Sequence, residues 1–458
     1  MHVLRGPEPE VIDLHPRSRR ARGFASLTRA AAFCGVTGLL SFGGSSAEQA
    51  KIRALDEVAK LSDEIRSAHA SGNAAAYVSN SLKLEEFLND SPPSLLQLMS
   101  AQIFAGDEDS AVQSFERFIR MGQSDKNTLK GKAFDALRKS SKFPALEAEM
   151  AKNDVAIARG TEVFRMEKTD LIPEDVDYDP PTSRFFVTSV LQKEILTFDA
   201  QGHSQFFARA PDAWPMMALK IDSRHRTLWA TEVALTRFKW TPEAAWGRSA
   251  VLIYNLDSGK LLHRVEGPPK AAFGDMTLTH AGDAIVSDND VGGVYRVRGG
   301  TFEIERLDSG EFISPQTATV SADDRRLFVP DYSRGIGALD LATKKVTWLD
   351  SGGLHALNGI DGLYLDGTTL IATQNGTTPE RVISFRLDGS YTRVVSESII
   401  ERATSSLGDP THGVIVEGSF YYISNSGWDA VADDGSLKPG STMTNPRLMR
   451  ADLNGVSN

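Results

Sequence analysis

A pattern that recurs along the C-terminal part of the chain limits the fold more than any other feature. Each copy has a polar residue, a short alternating strand, a turn, and a three-residue apolar strand core that ends in polar residues. NGIDGLYLDGTTLIATQN, from Asn358 to Asn375, is the clearest copy. The last apolar residue of each core falls at Val187, Ala230, Val286, Val329, Ala372 and Ile423, so successive copies lie 43, 56, 43, 43 and 51 residues apart. A period of roughly 40 to 45 residues that reads as several strands is that of a β-propeller blade. Six copies, two of them with insertions, predict an all-β six-bladed propeller over residues 161–458.

Alternation and turn signals such as Asp257-Ser258-Gly259 and Asp388-Gly389 predict four strands in each blade. The sixth blade supplies only three before the chain stops, with Arg447 to Leu453 as its third. Glu162 to Lys168, just before blade one, is the predicted donor of the missing outer strand. That donation would close the ring and remove an open sheet edge.

Ahead of the propeller, residues 48–158 read as helix, with apolar residues recurring at three and four: Ile52, Leu55, Val58, Leu61 and Ile65, then Val112, Phe115, Phe118 and Ile119. Gly72-Asn73 and Gly106-Asp107 lie 34 residues apart between helical runs. A 34-residue helix-turn-helix period is that of tetratricopeptide repeats, with a plain antiparallel bundle as the alternative. Stacked helix pairs would offer a concave face for a protein partner.

The N-terminus reads as an export signal. Arg17, Arg19, Arg20, Arg22 and Arg29 precede an uncharged run from Ala30 to Gly44 that is short for a membrane span, and Ser45-Ser46-Ala47 offers small residues for cleavage near Ala47. Arg19-Arg20 followed by Phe24 loosely resembles a twin-arginine signal, with ordinary secretion and an uncleaved anchor as alternatives. The expectation is an exported, periplasmic or secreted protein with no membrane attachment after cleavage. Cys34 is the only cysteine and would leave with residues 1–47, so the mature chain could not use a thiol as nucleophile or ligand. Those residues carry six arginines and three acidic side chains, and their loss would take the formal charge from −10 to −13. That acidity argues against a nucleic-acid partner.

Counting back from each strand core to the start of the innermost strand gives six equivalent positions: Glu174, Met217, Asp275, Gln316, Asp361 and His412. Five of the six are polar or ionisable where the innermost strands converge on the central channel. Carboxylates facing one another there need protons or a cation to offset them. Glu174, Asp275, Asp361 and the amide oxygen of Gln316 form an all-oxygen set that suits Ca²⁺, with Mg²⁺ as another divalent choice; zinc is less suited with His412 as the lone nitrogen. A hydrated polar channel is the alternative. Both insertions, Ala234 to Arg248 and Ser426 to Asn445, belong to the same end of the channel. The expected mouth comprises Trp240, Trp246 and Trp428 in these insertions, with Asp288, Asp290, Asp331, Asn375 and Asn425 at strand ends. Aromatic side chains over a polar floor describe a small-molecule site.

PEDVDYDP at Pro173 to Pro180, FGDMTLTHAGDAIVSDND at Phe273 to Asp290, SPQTATVSADDRRLFVPD at Ser314 to Asp331 and the GIDGLYLDG stretch resemble the senescence marker protein, gluconolactonase and luciferin-regenerating-enzyme-like family, with paraoxonases as more distant relatives. The resemblance covers roughly Leu171 to Leu453. It implies a six-bladed propeller with a divalent cation, commonly calcium, in the channel and hydrolysis of lactones or related esters. It also implies Glu174 and Asp361 as ligands, Asp361 as proton acceptor, and Gln316 in the place of an asparagine ligand. Gly274-Asp275 stands where the family has Asn-Asp, which removes an oxygen.

Two functions follow. The first is an exported metal-dependent hydrolase of a lactone or ester, with Asp361 or His412 taking a proton from the attacking water. The second is a non-enzymatic propeller that binds or scaffolds, with the helical segment recruiting a partner. No Gly-x-Ser-x-Gly elbow, zinc motif or phosphate loop competes for the chemistry.

Overall fold

The computed structural model describes residues 53–236, 238, 239 and 241–454. The export signal lies outside the described residues. No helix among those described is long and apolar enough to cross a membrane.

Among the described residues seven α-helices come first: α1 (Ala54–Ala70), α2 (Ala74–Phe87), α3 (Pro92–Phe104), α4 (Glu108–Arg120), α5 (Lys126–Leu129), α6 (Asp135–Lys139) and α7 (Phe143–Ala151). The two pairs α1/α2 and α3/α4 repeat at the 34-residue spacing read from the sequence. Gly72 (φ 71°) and Gly106 (φ 76°) end the first helix of each pair in the left-handed region, where glycine carries no Cβ penalty. One residue later, Asn73 and Asp107 cap the second helix by accepting from Ala76 N and Ser110 N, both at 3.1 Å. Helix α4 buries Ala111, Val112, Phe115, Phe118 and Ile119, with acidic residues in its first turn and Arg117 and Arg120 in its last, as its dipole favours. Helix α3 is buried on every side from Leu95 to Gln102.

Six sheets follow, and they make the chain a six-bladed β-propeller. Blade one is Pro173–Asp179, Arg184–Ser189, Glu194–Phe198 and Ser204–Arg209; blade two is Met216–Asp222, Thr227–Val233, Ser249–Asn255 and Leu261–Glu266. Blade three is Phe273–Leu278, Ala284–Asp288, Gly293–Val297 and Ile304–Arg306; blade four is Thr319–Val320, Arg326–Asp331, Gly335–Asp340 and Val346–Trp348. Blade five is Gly362–Asp366, Thr369–Gln374, Arg381–Leu387 and Val394–Arg402; blade six is Gly413–Val416, Ser419–Ser424 and Arg447–Asp452, completed by Thr161–Arg165. The completing strand pairs Thr161 with Arg450 and Phe164 with Leu448, so the ring closes through the segment read from the sequence as donor. A second closure was not predicted: Ile157–Ala158 adds a fifth strand to blade five against Arg402 and Glu401.

The six periodic core residues all lie in second strands and are buried. In blades one, two and three the residue after it ties the blade to the next one at the channel. Thr188 Oγ1 donates to Met217 O at 2.6 Å, Thr231 Oγ1 to Gly274 O at 2.9 Å, and Ser287 Oγ to Gln316 O at 2.8 Å. Each such buried bond is worth about 1 kcal/mol net and fixes the backbone that carries a channel side chain. The helical segment shares cores with the propeller: Ile313 packs with α1 and α2, and Ala356 with α3 and α4.

Candidate functional site

Each channel side chain stands at or just before the start of an innermost strand, and all six are buried: Glu174, Met217, Asp275, Gln316, Asp361 and His412. Glu174, Asp361 and His412 each place one ligand-type atom within 4.8 Å of the other two, which is a geometry that can hold a metal ion. Asp275 lies beside this cluster, with Oδ1 3.2 Å from His412 Nε2; Asp361 Oδ1 is 3.8 Å from the same nitrogen. Thr317 Oγ1 also lies 3.2 Å from Nε2. The other face of the imidazole looks toward Asp175, whose Oδ1 is 3.7 Å from His412 Nδ1.

Each channel carboxylate has one oxygen held by an N–H donor from farther out. Trp428 Nε1 donates to Glu174 Oε2 at 2.7 Å, Asn289 Nδ2 to Asp275 Oδ2 at 2.7 Å, and Asn375 Nδ2 to Asp361 Oδ2 at 3.0 Å. Outer partners of this kind set the rotamer of a ligating group and tune its basicity. Asn289 Nδ2 also donates to Gln316 Oε1 at 3.1 Å, while the amide nitrogen of Gln316 is spent on Ser314. Gln316 therefore belongs to a network with Asp275 and Asn289, and the three-residue cluster forms without it.

Asn289 accounts for the Gly274-Asp275 departure. A Cβ at Gly274 would sit 2.3 Å from Asn289 Oδ1, so the Asn289 side chain fills the space that a residue-274 side chain would take. Asn289 was not singled out in the sequence, although it stands three residues past Val286, as Asn375 stands three past Ala372. Asp175 was also missed. It is fully buried, accepts from Leu219 N at 2.9 Å and pairs with Lys220 Nζ at 2.6 Å. Burial raises its carboxyl above the ordinary range despite the lysine. Tyr364 completes the lower channel: its hydroxyl accepts from Gly413 N at 2.7 Å and fits because Gly362 has no Cβ, which would lie 2.7 Å from it.

The expected mouth residues divide. Trp428 is buried and reaches Glu174, and Asn375 holds Asp361 and accepts from Tyr332 Oη at 3.0 Å. Trp246 is half-buried, with its ring nitrogen donating to Thr241 O, and Asn425 donates to Thr444 and Asn445 within the blade-six insertion. Trp240 lies outside the described residues. Asp288 and Asp331 are a correction, since both are fully buried rather than open to the rim. Asp288 accepts from Ala272, Asp290 and Val291 N, and Asp331 from Ile313, Ser314, Ser333 and Arg334 N, so their charges brace loops. Asp290 is half-buried beside Asp288, and burial with that neighbouring charge pushes it up to about 7.

The opposite wall is apolar. Met217 packs with Ile172, Val190, Val233, Phe238 and Trp428. The two insertions meet above blade one, where Lys239 N donates to Asp434 O at 2.5 Å and the Phe238 ring lies against Gly435. The channel end thus pairs a carboxylate and imidazole floor with an apolar side wall, which suits a small molecule having one polar, reactive end.

No protein-family model matches the sequence, and no curated protein does. Several solved structures are similar to this chain. Luciferin-regenerating enzyme is 11% identical with a TM-score of 0.45, over 66% of this chain and 97% of that one. The PQQ-bound form of aldose sugar dehydrogenase from Streptomyces coelicolor is 12% identical with a TM-score of 0.44, over 65% and 99%. A gluconolactonase from Xanthomonas campestris is 13% identical with a TM-score of 0.42, over 64% and 89%.

Proposed function

We propose that the chain is a metal-dependent hydrolase of a lactone or ester, exported as its N-terminal sequence suggests. The observation that carries the proposal is the channel floor: carboxylates from three blades, each fixed on one oxygen, around a single histidine. Glu174, Asp361 and His412 would hold a divalent cation. An imidazole nitrogen beside two carboxylates moves the preference from the Ca²⁺ or Mg²⁺ of an all-oxygen set toward Mn²⁺ or Zn²⁺. When bound, such an ion supplies Lewis-acid polarisation of the substrate carbonyl. The apolar wall around Met217 and Trp428 would seat the non-reacting part of the substrate.

Asp275 is the carboxylate outside the cluster and is oriented by Asn289, so it takes the proton-acceptor role that the sequence suggested for Asp361 or His412. A panel of aldonolactones and aryl esters, assayed with and without chelator, tests the reading. Turnover should vanish with chelator, and Asp275→Asn should lower it on the order of 10²–10⁴-fold with metal affinity kept. Asp361→Asn should lose both. Turnover that survives chelator, or Asp275→Asn at full rate, would contradict the proposal.

One observation favours a second reading, a binding protein without turnover: Asn289 already bridges Asp275 and Gln316 as a cation would. A protein inert across the panel yet stabilised by a divalent cation would decide for it. The protein partner expected at a concave helical face belongs to that reading.

A further inference from the structure

The loops that leave the second strands of blades three, four and five open with Asn289, Tyr332 and Asn375, each three residues past the periodic core residue of its blade. Asn289 holds Asp275, Asn375 holds Asp361, and Tyr332 Oη donates to Asn375 Oδ1. A few residues further on, the same three loops are held by the helical segment. In blade three, the Arg53 guanidinium donates to Val291 O. In blade four, Arg334 Nε donates to Phe87 O at 3.0 Å, at the end of α2, and its guanidinium lies between the Phe87 and Trp348 rings, 4.1 and 4.3 Å from their centroids. At the end of blade five's loop, Arg381 Nη1 donates to Met121 O at 3.2 Å, just past α4.

These contacts repeat with the helices. Phe87 and Met121 are 34 residues apart, as are Asn89 and Gln123. Asn89 Nδ2 donates to Arg334 O at 2.8 Å, and Gln123 Oε1 accepts from Thr378 N at 3.3 Å. One helical repeat is therefore seated on each of two neighbouring blades, with a guanidinium at the negative end of a helix dipole in both. Neither arginine makes an ion pair among the described residues, and burial lowers the pKa of each. The shared packing at Ile313 and Ala356 makes the joint a continuous core rather than a tether.

We infer that the helical segment is a positioning element of the channel site: by holding these three loops it fixes the asparagines that orient Asp275 and Asp361. The inference rests on reading the channel as the functional site. Irregular loops sit at the low-stability end of a fold unless packed, and misplacing an outer partner of a metal ligand typically costs 10–100-fold in affinity.

Full-length Arg334→Gln and Arg381→Gln test it. Arg298→Gln is the control, in an exposed pair with Glu305 on a turn between outer strands of blade three. Hydrogen exchange is followed by mass spectrometry in chelator, and Mn²⁺ affinity by competition with a chelating dye. Exchange in residues 289–292, 332–335 and 375–380, and in the innermost strands of blades three and five, should rise several-fold in each clamp variant. Mn²⁺ affinity should fall about 10–100-fold, with the control unchanged. Arg334→Gln keeps the test decisive if the fully buried Arg381 proves necessary for folding. Exchange that rises only within the helices, or loosened loops with wild-type Mn²⁺ affinity, would overturn the inference. Wild-type protein that takes up no Mn²⁺ would sink the metal reading alone, and the exchange pattern in the innermost strands would then decide the bracing by itself.

Discussion

Trp428 Nε1 donating to Glu174 Oε2 joins an inserted loop of blade six to the first strand of blade one, inside the channel. Trp428→Phe keeps an aromatic side chain, though a smaller one, and removes the donor. In chelator it should destabilise the protein by about 1–3 kcal/mol, because a buried carboxylate oxygen loses its partner, and urea unfolding would show it. Asp290 gives a pH signature. Its carboxyl is pushed from 3.8 up to about 7, so between these values the folded state binds a proton that the unfolded state has released. Stability therefore falls as pH rises from about 4 to about 7, with a slope of up to ~1.4 kcal/mol per pH unit. Asp290→Asn should flatten that fall in thermal melts run in chelator; parallel curves for the two proteins would show that Asp290 does not titrate this way. Glu174, Asp361 and His412 were legible in the sequence because register from the blade period places them at strand starts. Asn289 and Asp175 were not: each acts through a neighbour's oxygen or lysine, and a one-dimensional pattern carries no sign of that. Asp288 and Asp331 were misread because a carboxylate at a strand end looks the same whether it faces solvent or caps a loop.

At the level of elements, Thr161–Arg165 does what its place in the sequence suggested. Phe164, at 5% exposure, stacks on Phe198 with centroids 5.4 Å apart and seals blade six to blade one. Phe164→Ala should cost about 3–5 kcal/mol, read as a lower denaturation midpoint with the blade strands unfolding together. A loss under 1 kcal/mol would mean that the ring closes by other contacts. The helix pairs were equally legible, since Gly72-Asn73 and Gly106-Asp107 combine a terminator with a cap at a fixed spacing. Ile157–Ala158 was not, because two residues are too few to show alternation. The seating of α2 and α4 on blades four and five was also hidden: Arg334 and Arg381 look like ordinary loop arginines until the carbonyls of Phe87 and Met121 are placed beside them.

Across the whole molecule, one end of the propeller carries the buried carboxylates and His412 and is flanked on two sides. The insertions of blades two and six meet over blade one, and the helical segment is packed onto blades three to five. Asp275, Gln316 and Asp361 belong to the blades that carry the helices, whereas Glu174 and Met217 belong to the blades that lie under or carry the insertions. Carboxylates from separate blades meet at one axis with His412, and a cation should bind there. Calorimetric titration of chelator-stripped protein with Mn²⁺ and Ca²⁺, in wild type and Glu174→Gln, measures that binding. Wild type should show one site per chain, tighter for Mn²⁺ than for Ca²⁺, and weakened at least about tenfold in Glu174→Gln. No heat of binding in wild type, or equal affinity in the variant, would contradict it.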